Sequence, residues 1–270
     1  MNNRSSVIAA ISALAALLVL AGCHEPTVYP EFVTVPHPSA TALLGQHHIV
    51  GSSVRNRSIM TQVFGQGPDV ILIIATIHGN EPAGTPLVRA LAQYIRKHLE
   101  ILNGRTIALL PVANPDGMAA NTRHNANGVD LNRNFATANR INSERFGRSA
   151  LSEPETRVIK QLIRQYAPDR IVTIHQPLAC IDYDGPARAI AARMAQYCDL
   201  PVKKLGARPG SLGSYAGLTL GIPIITFEMR TNDSNLPTQS LWRKYGKALL
   251  AAITYPNPPQ SHSTRLNTEI

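Results

Sequence analysis

Short apolar runs alternate along the chain with longer segments in which apolar positions recur three and four residues apart. The short runs predict buried strands, and the longer segments predict amphipathic helices. The predicted strands lie near residues 58–64, 70–76, 105–112, 170–175 and 222–228. The predicted helices lie near residues 83–101, 153–166, 186–198 and 238–253. This alternation predicts a single α/β domain with a mixed, mostly parallel twisted sheet and helices on both faces.

The N-terminal segment predicts export. A run of about fourteen largely apolar residues ends at Leu20, which is short for a membrane span and typical of a signal-peptide core. It leads into Leu20-Ala21-Gly22-Cys23, which resembles a bacterial lipobox. That resemblance implies lipid attachment at Cys23 and a periplasmic location, and His24 favours the outer membrane. The alternative is a plain secretory signal with a chance cysteine.

Proline and polarity set the predicted boundaries. Residues 1–22 form the signal peptide, and residues 23–45 form a proline-rich tether. The folded domain spans residues 46–255, and residues 256–270 form a loose tail.

Composition is that of a globular protein with a substantial core, with 44% hydrophobic and 16% charged residues. The net charge of +9 favours an anionic neighbourhood. The basic residues are nevertheless scattered, aromatic residues make up only 5%, and no nucleic-acid module is present. We therefore expect no nucleic-acid partner, and the sequence predicts no obligate protein partner.

Two further cysteines, Cys180 and Cys198, could pair in an oxidising periplasm. The segment between them predicts a helix of about 18 Å, which would hold the two thiols at opposite ends. We therefore expect two unpaired, buried thiols.

The predicted strand at 70–76 leads into Ile77-His78-Gly79-Asn80-Glu81. Ligands in open α/β sheets bind at the carboxyl ends of strands, so this turn is a candidate site. His78 and Glu81, three residues apart, can converge on one ion and suit zinc, which needs a third protein ligand. The pair alone is a weak motif.

Two other strand ends carry matching residues. His175 closes the apolar run at 170–174, and Glu228 closes the run at 222–227. His175 is the candidate third ligand, whereas its alternative role is a hydrogen-bonded core histidine. Glu228 is the candidate base that takes a proton from a metal-bound water, and its alternative role is a capping or ion-paired carboxylate near Arg230.

A long polar segment, residues 121–142, has little regular pattern and is too long for a simple connection. Within it, Arg123 could stabilise developing negative charge, while Asn132 and Arg133 could bind a substrate carboxylate. The alternative for both arginines is a solvated surface position.

Taken in order, these segments resemble the zinc metallocarboxypeptidases related to carboxypeptidases A and B. The matching segments are His78-x-x-Glu81, Asn114-Pro115-Asp116-Gly117, Thr122-Arg123, Gly128-Val129-Asp130-Leu131-Asn132-Arg133-Asn134-Phe135, Ile174-His175 and Thr226-Phe227-Glu228. The resemblance implies one zinc ion per chain, with the ligands His78, Glu81 and His175. It implies that Glu228 is the general base and acid and that Arg123 polarises the scissile carbonyl. It further implies that Asn132 and Arg133 hold the terminal carboxylate and that Asp130 orients His78.

Three more segments, at 151–156, 175–187 and 209–215, resemble the murein peptide amidase branch of that family. This branch implies a murein peptide substrate, cut at the γ-D-glutamyl–meso-diaminopimelate amide. The mobile tyrosine of the digestive enzymes has no counterpart near Leu205-Gly206. The predicted export signal is a second departure, because the familiar murein amidase works in the cytoplasm.

Two alternative functions stay open. One is an N-acyl amino acid deacylase of the succinylglutamate or aspartoacylase type, and the other is a non-catalytic lipoprotein that binds murein peptides. The diaminopimelate-binding residues also stay open, and the candidates are Asp182, Asp184, Arg208 and Arg230.

Overall fold

The structure, a computed structural model, describes residues 45–256. The predicted signal peptide, the lipid-attachment residue Cys23, the tether before Gly45 and the tail after Pro256 lie outside the described residues. None of the described helices combines the length and the apolar character that a bilayer crossing requires.

Residues 45–256 form one sheet of seven strands. The strands are β1 (Gln46–Ser52), β2 (Ser58–Gly65), β3 (Asp69–Ala75), β4 (Arg105–Leu110), β5 (Arg170–His175), β6 (Leu178–Asp184) and β7 (Ile224–Arg230). Their order is β1-β2-β4-β3-β5-β7-β6. The four central strands, β4, β3, β5 and β7, pair in parallel, whereas β1, β2 and β6 join antiparallel at the edges. The predicted mixed α/β sheet is confirmed, with its parallel part at the centre.

Helices cover both faces of the sheet, as predicted. They are α1 (Gly84–Lys97), α2 (Pro115–Ala120), α3 (Pro154–Tyr166), α4 (Arg188–Ala195) and α5 (Thr238–Ile253). Helices α1, α4 and α5 pack on one face, and α3 packs on the other. Strand β3 contributes to the core on each face of the sheet. Ile71 and Ile73 pack on the side of α1, α4 and α5, and Leu72 and Ile74 pack on the side of α3. A strand buried on both faces is continuously apolar, which is why this run is so plain in the sequence.

Four elements differ from the prediction. Strands β1 and β6 lie at the edges of the sheet and depart from the prediction, because neither forms an apolar run: β1 has only two large apolar residues, and β6 is interrupted by two aspartates. Helix α1 ends at Lys97, and a separate 3₁₀ turn, Leu99–Leu102, follows it. Asn114-Pro115-Asp116-Gly117 was expected to be a turn but begins helix α2, since Asn114 caps the helix and Pro115 occupies its first position.

The cysteine prediction is confirmed in part. Cys180 and Cys198 are both free thiols. Cys180 is buried, but Cys198, three residues beyond α4, is only half-buried.

Candidate metal centre and active site

The turn after β3 holds His78 and Glu81 in place by close backbone packing. A Cβ added at Gly79 would lie 1.9 Å from the carbonyl carbon of Gly117 in α2, so only glycine fits there. The Asn114 side chain donates to the carbonyl that precedes His78 at 3.2 Å and accepts from Gly117 N at 2.8 Å. The cap of α2 therefore also fixes the turn.

His78, Glu81 and His175 converge at the carboxyl ends of β3 and β5. His78 Nδ1 lies 2.8 Å from Glu81 Oε1, and His175 Nδ1 lies 2.9 Å from Glu81 Oε2. The two Nδ1 atoms are 3.2 Å apart. All three side chains are buried, and one donor atom from each lies within 4.8 Å of the others. In the described part of the chain, no other group of three or more His, Cys, Asp or Glu side chains converges in this way.

This donor set fits zinc. Two imidazole nitrogens and one carboxylate form a ligand set that catalytic zinc sites use. Two ligand atoms of a tetrahedral zinc lie about 3.3 Å apart, which is close to the 3.2 Å between the two Nδ1 atoms. His124, the histidine of the polar segment at 121–142, is not among the three donors.

Asp130 orients His78 from behind. Its Oδ1 lies 3.0 Å from His78 Nε2, and its Oδ2 accepts from Arg123 Nε at 3.0 Å. Burial alone would lower the pKa of His78, but hydrogen bonds with Asp130 and Glu81 outweigh it and raise the pKa. Burial would likewise raise the pKa of Asp130, yet His78 and Arg123 hold that pKa well below its usual range. Asp130 therefore remains ionised and fixes the ring of His78.

Glu228 lies on β7 beside the donor group. The register of β5 and β7 pairs it directly with His175. Burial is the largest influence on the Glu228 carboxyl and raises its pKa. Its Oε2 accepts from Leu178 N at 3.3 Å. The alternative ion pair with Arg230 is wrong, because Arg230 pairs with Asp199 at 3.1 Å.

Arg123, Asn132 and Arg133 line the same cavity, of about 510 Å³, as the donor group and Glu228. Arg123 Nη1 donates to Glu81 Oε1 at 3.1 Å. Asn132 Oδ1 accepts from Leu212 N at 2.8 Å, and Arg133 is half-buried. Every residue predicted to bind the metal, to catalyse the reaction or to hold the terminal carboxylate therefore lies in this cavity, and Asp130 lies directly behind it.

A buried amide that the sequence did not single out holds the long polar segment. Asn134 Nδ2 donates to the Phe146 carbonyl at 2.9 Å and to Ser152 Oγ at 3.0 Å. Its Oδ1 accepts from Glu153 N at 3.1 Å and from Thr156 Oγ1 at 2.8 Å. The segment is thus tied to the start of α3. Asn134 belongs to the segment 128–135 that resembles the family, but nothing in the sequence indicates this anchoring role.

The remaining wall of the cavity comes from β6 and the segment after it. Of the four candidates for diaminopimelate binding, Asp182, Asp184 and Arg208 line the cavity. Arg230 lines a separate depression. Leu205 and Gly206 also line the cavity, and no tyrosine does so among residues 45–256.

Comparisons with known proteins agree with this geometry. A family profile described as zinc carboxypeptidase matches residues 44–184. Murein peptide amidase A of Escherichia coli is 36% identical over 179 residues, which cover 58% of this chain and 69% of the relative.

Two solved structures have a similar fold. Murein-tripeptide amidase from Escherichia coli O157 matches with a TM-score of 0.59 and 26% identity, over 81% of this chain and 96% of that one. Carboxypeptidase A from Helicoverpa armigera matches in fold with a TM-score of 0.65 and 21% identity, over 79% and 70%. The family match spans more than half of the 270 residues and contains the His78-x-x-Glu81 turn and the strand end at His175. This chain therefore belongs to the zinc carboxypeptidase family and is a hydrolytic enzyme.

Proposed function

We propose that the chain hydrolyses the γ-D-glutamyl–meso-diaminopimelate amide of murein peptides with the help of one zinc ion. The observation that carries this proposal is a single cavity lined by the His-Glu-His donors, the buried carboxylate of Glu228 and the side chains of Asn132 and Arg133. The similarity to murein peptide amidase A supports the choice of substrate.

His78, Glu81 and His175 would hold the zinc, which supplies a Lewis acid and lowers the pKa of water at the site. Glu228 takes a proton from the attacking water and delivers it to the leaving amine. Its burial suits this role, because a raised pKa lets one carboxylate both accept and return a proton.

Three side chains of the cavity, Arg123, Asn132 and Arg133, would bind the substrate and stabilise negative charge. The Arg123 guanidinium lines the cavity beside Glu81, where it would place positive charge near the carbonyl oxygen that becomes negative during attack. The side-chain oxygen of Asn132, Oδ1, accepts from Leu212 N. This leaves the side-chain NH₂ group of Asn132 to donate to a substrate carboxylate. Arg133 supplies the charge-assisted partner for the same carboxylate.

Product identification distinguishes this proposal from its alternatives. The zinc-loaded full chain is incubated with L-Ala-γ-D-Glu-meso-diaminopimelate or with N-succinylglutamate, and the products are identified by mass spectrometry. We expect free diaminopimelate from the peptide. Release of succinate alone would favour the deacylase. Zinc and peptide binding without turnover would favour a non-catalytic binding protein.

We also propose that the enzyme is anchored by lipid at Cys23 and works in the periplasm, at the outer membrane. The lipobox-like segment Leu20-Ala21-Gly22-Cys23 supports this location. We expect wild type to stay in the membrane fraction after an alkaline wash and Cys23→Ser to be released. Retention of Cys23→Ser in the membrane would contradict the anchor.

A further inference from the structure

Strand β6 forms a charged wall of the active-site cavity. Asp182 and Asp184 face the cavity, whereas Ile181 and Tyr183 pack into the core on the opposite face. This is the two-residue period of a strand. Both carboxylates therefore lie on the same face of the sheet as Glu228 on the neighbouring strand.

The two aspartates differ in their partners. Asp184 forms an ion pair with Lys204, so its charge is already compensated. Asp182 is 94% buried, with a relative exposure of 6%. Its Oδ1 accepts from Leu205 N at 2.8 Å, but it forms no ion pair with any described side chain. Lys204, which pairs with Asp184, acts on Asp182 only electrostatically from beyond ion-pair distance. A buried carboxylate without a cation in contact is costly, and a cation brought by a ligand would offset that cost.

The spacing between Asp182 and Glu228 along the sheet is similar to the distance between the two nitrogen atoms of a diamino acid. In the register of β6 and β7, Asp182 lies opposite Thr226, and Cys180 lies opposite Glu228. Asp182 and Glu228 are therefore diagonal neighbours on the same face of the sheet, a relation that places their Cα atoms about 7–8 Å apart. In meso-diaminopimelate, six bonds separate the nitrogen of the scissile amide from the distal nitrogen. These bonds span about 7.5 Å when extended.

We infer that Asp182 binds the distal ammonium group of the diamino acid and makes the enzyme select substrates in which that amine is free. This inference rests on the proposed function. It implies that stems whose distal amine is acylated, as in a peptide cross-link, are rejected because the acylated nitrogen carries no charge.

A pair of substrates tests the inference. One is L-Ala-γ-D-Glu-meso-diaminopimelate, and the other carries 2-aminopimelate, in which hydrogen replaces the distal ammonium group. We expect wild type to prefer the first substrate by about 100-fold in kcat/KM, because a buried charge pair is lost with the second. Equal kcat/KM for the two substrates would overturn the inference without any variant.

Asp182→Asn sharpens the test, since asparagine keeps the oxygen that accepts from Leu205 N. We expect kcat/KM to fall about 100-fold for the diaminopimelate substrate and less than about 3-fold for the aminopimelate substrate. The exposed Asp199, which lies outside the cavity, provides the matched control, and Asp199→Asn should change neither value. An equal loss on both substrates would assign Asp182 a merely structural role and overturn the inference.

Calorimetry separates failure of this inference from failure of the proposed function. If wild type cleaves neither peptide, the proposed function is wrong, and titration with free meso-diaminopimelate and free 2-aminopimelate still tests Asp182. Tighter binding of diaminopimelate that Asp182→Asn abolishes supports the inference. Equal affinity for the two amino acids overturns it.

Discussion

The active site joins two groups of side chains that are held in different ways. The strand-end group consists of His78, Glu81, His175 and Glu228. The loop group consists of Arg123, Asn132 and Arg133. The first group lies on or directly after three parallel strands, and the register of β5 and β7 sets His175 beside Glu228. The second group lies in the irregular segment between α2 and α3, which buried side-chain amides such as Asn134 hold in place.

This difference matches the two tasks of the enzyme. Proton transfer and zinc binding need positions fixed to a fraction of an ångström, which a hydrogen-bonded sheet supplies. We propose that the loop group binds the substrate through Asn132 and Arg133 and stabilises developing charge through Arg123, in a segment where sequence can change without disturbing the core. Loss of a strand-end side chain should therefore abolish the chemistry, and loss of a loop side chain should weaken substrate binding or charge stabilisation while zinc remains.

The largest effect is expected from Glu81→Ala, which removes a donor from the strand-end group. Loss of a residue behind a ligand already weakens metal binding about 10- to 100-fold, so loss of the ligand itself should exceed 100-fold. Zinc content after dialysis, measured by atomic absorption, is the readout. Glu144→Ala, at an exposed position far along the loop segment, is the control. Unchanged zinc in Glu81→Ala would exclude Glu81 as a ligand.

Arg133→Gln tests the loop group. We expect kcat/KM for the murein tripeptide to fall about 100-fold, because a charge-assisted contact with the substrate carboxylate is lost. Zinc content should stay at the wild-type value. The exposed Arg148 offers the matched control, and Arg148→Gln should leave both quantities unchanged. Loss of zinc in Arg133→Gln would show that the two groups are not separable.

Asp130→Asn probes the link between the groups, since Asp130 contacts both His78 and Arg123. Asparagine keeps one oxygen that can accept from His78. It removes the negative charge that makes His78 a stronger zinc ligand. Zinc affinity should fall about 10- to 100-fold. Competition with a chelator measures it. An unchanged zinc affinity would mean that Asp130 serves Arg123 alone.

The smallest effect is expected on the stability of the fold, from a substitution of Asp233 in the turn Thr231–Asn235 after β7. Asp233 accepts from Arg230 N at 2.8 Å and from the Tyr245 hydroxyl at 2.5 Å, and it pairs with Lys244 at 2.8 Å. Burial alone would raise the pKa of Asp233, but hydrogen bonds from Lys244 and Tyr245 outweigh it and lower the pKa.

A lowered pKa in the folded state means that Asp233 stabilises the fold above about pH 4. This contribution is lost as the pH falls toward the lowered value. Asp233→Asn should reduce the free energy of unfolding at pH 7 by about 1–2 kcal/mol, and less at pH 3. Urea denaturation at both pH values measures the difference. An equal loss at both would rule out ionisation of Asp233 as the cause.

The same contrast explains what the sequence could predict. Strands β3, β5 and β7 are apolar runs, so their ends, and with them His78, His175 and Glu228, could be located before any coordinates. Strand β6 was missed because Asp182 and Asp184 interrupt its apolar pattern, although their two-residue spacing was a usable signal. The hydrogen bonds by which the Asn134 side chain holds the loop could not be predicted. Their partners are 12 to 22 residues away in sequence and follow no pattern of their own.

The most direct test of the account is the turnover of Glu228→Gln, with zinc content measured on the same sample. Glutamine has the same shape as glutamate but cannot accept the proton. We predict one zinc per chain, as in wild type, and release of diaminopimelate from the murein tripeptide reduced about 100- to 10,000-fold. Turnover near the wild-type rate with zinc present would contradict the assignment of Glu228 as the base of a zinc hydrolase.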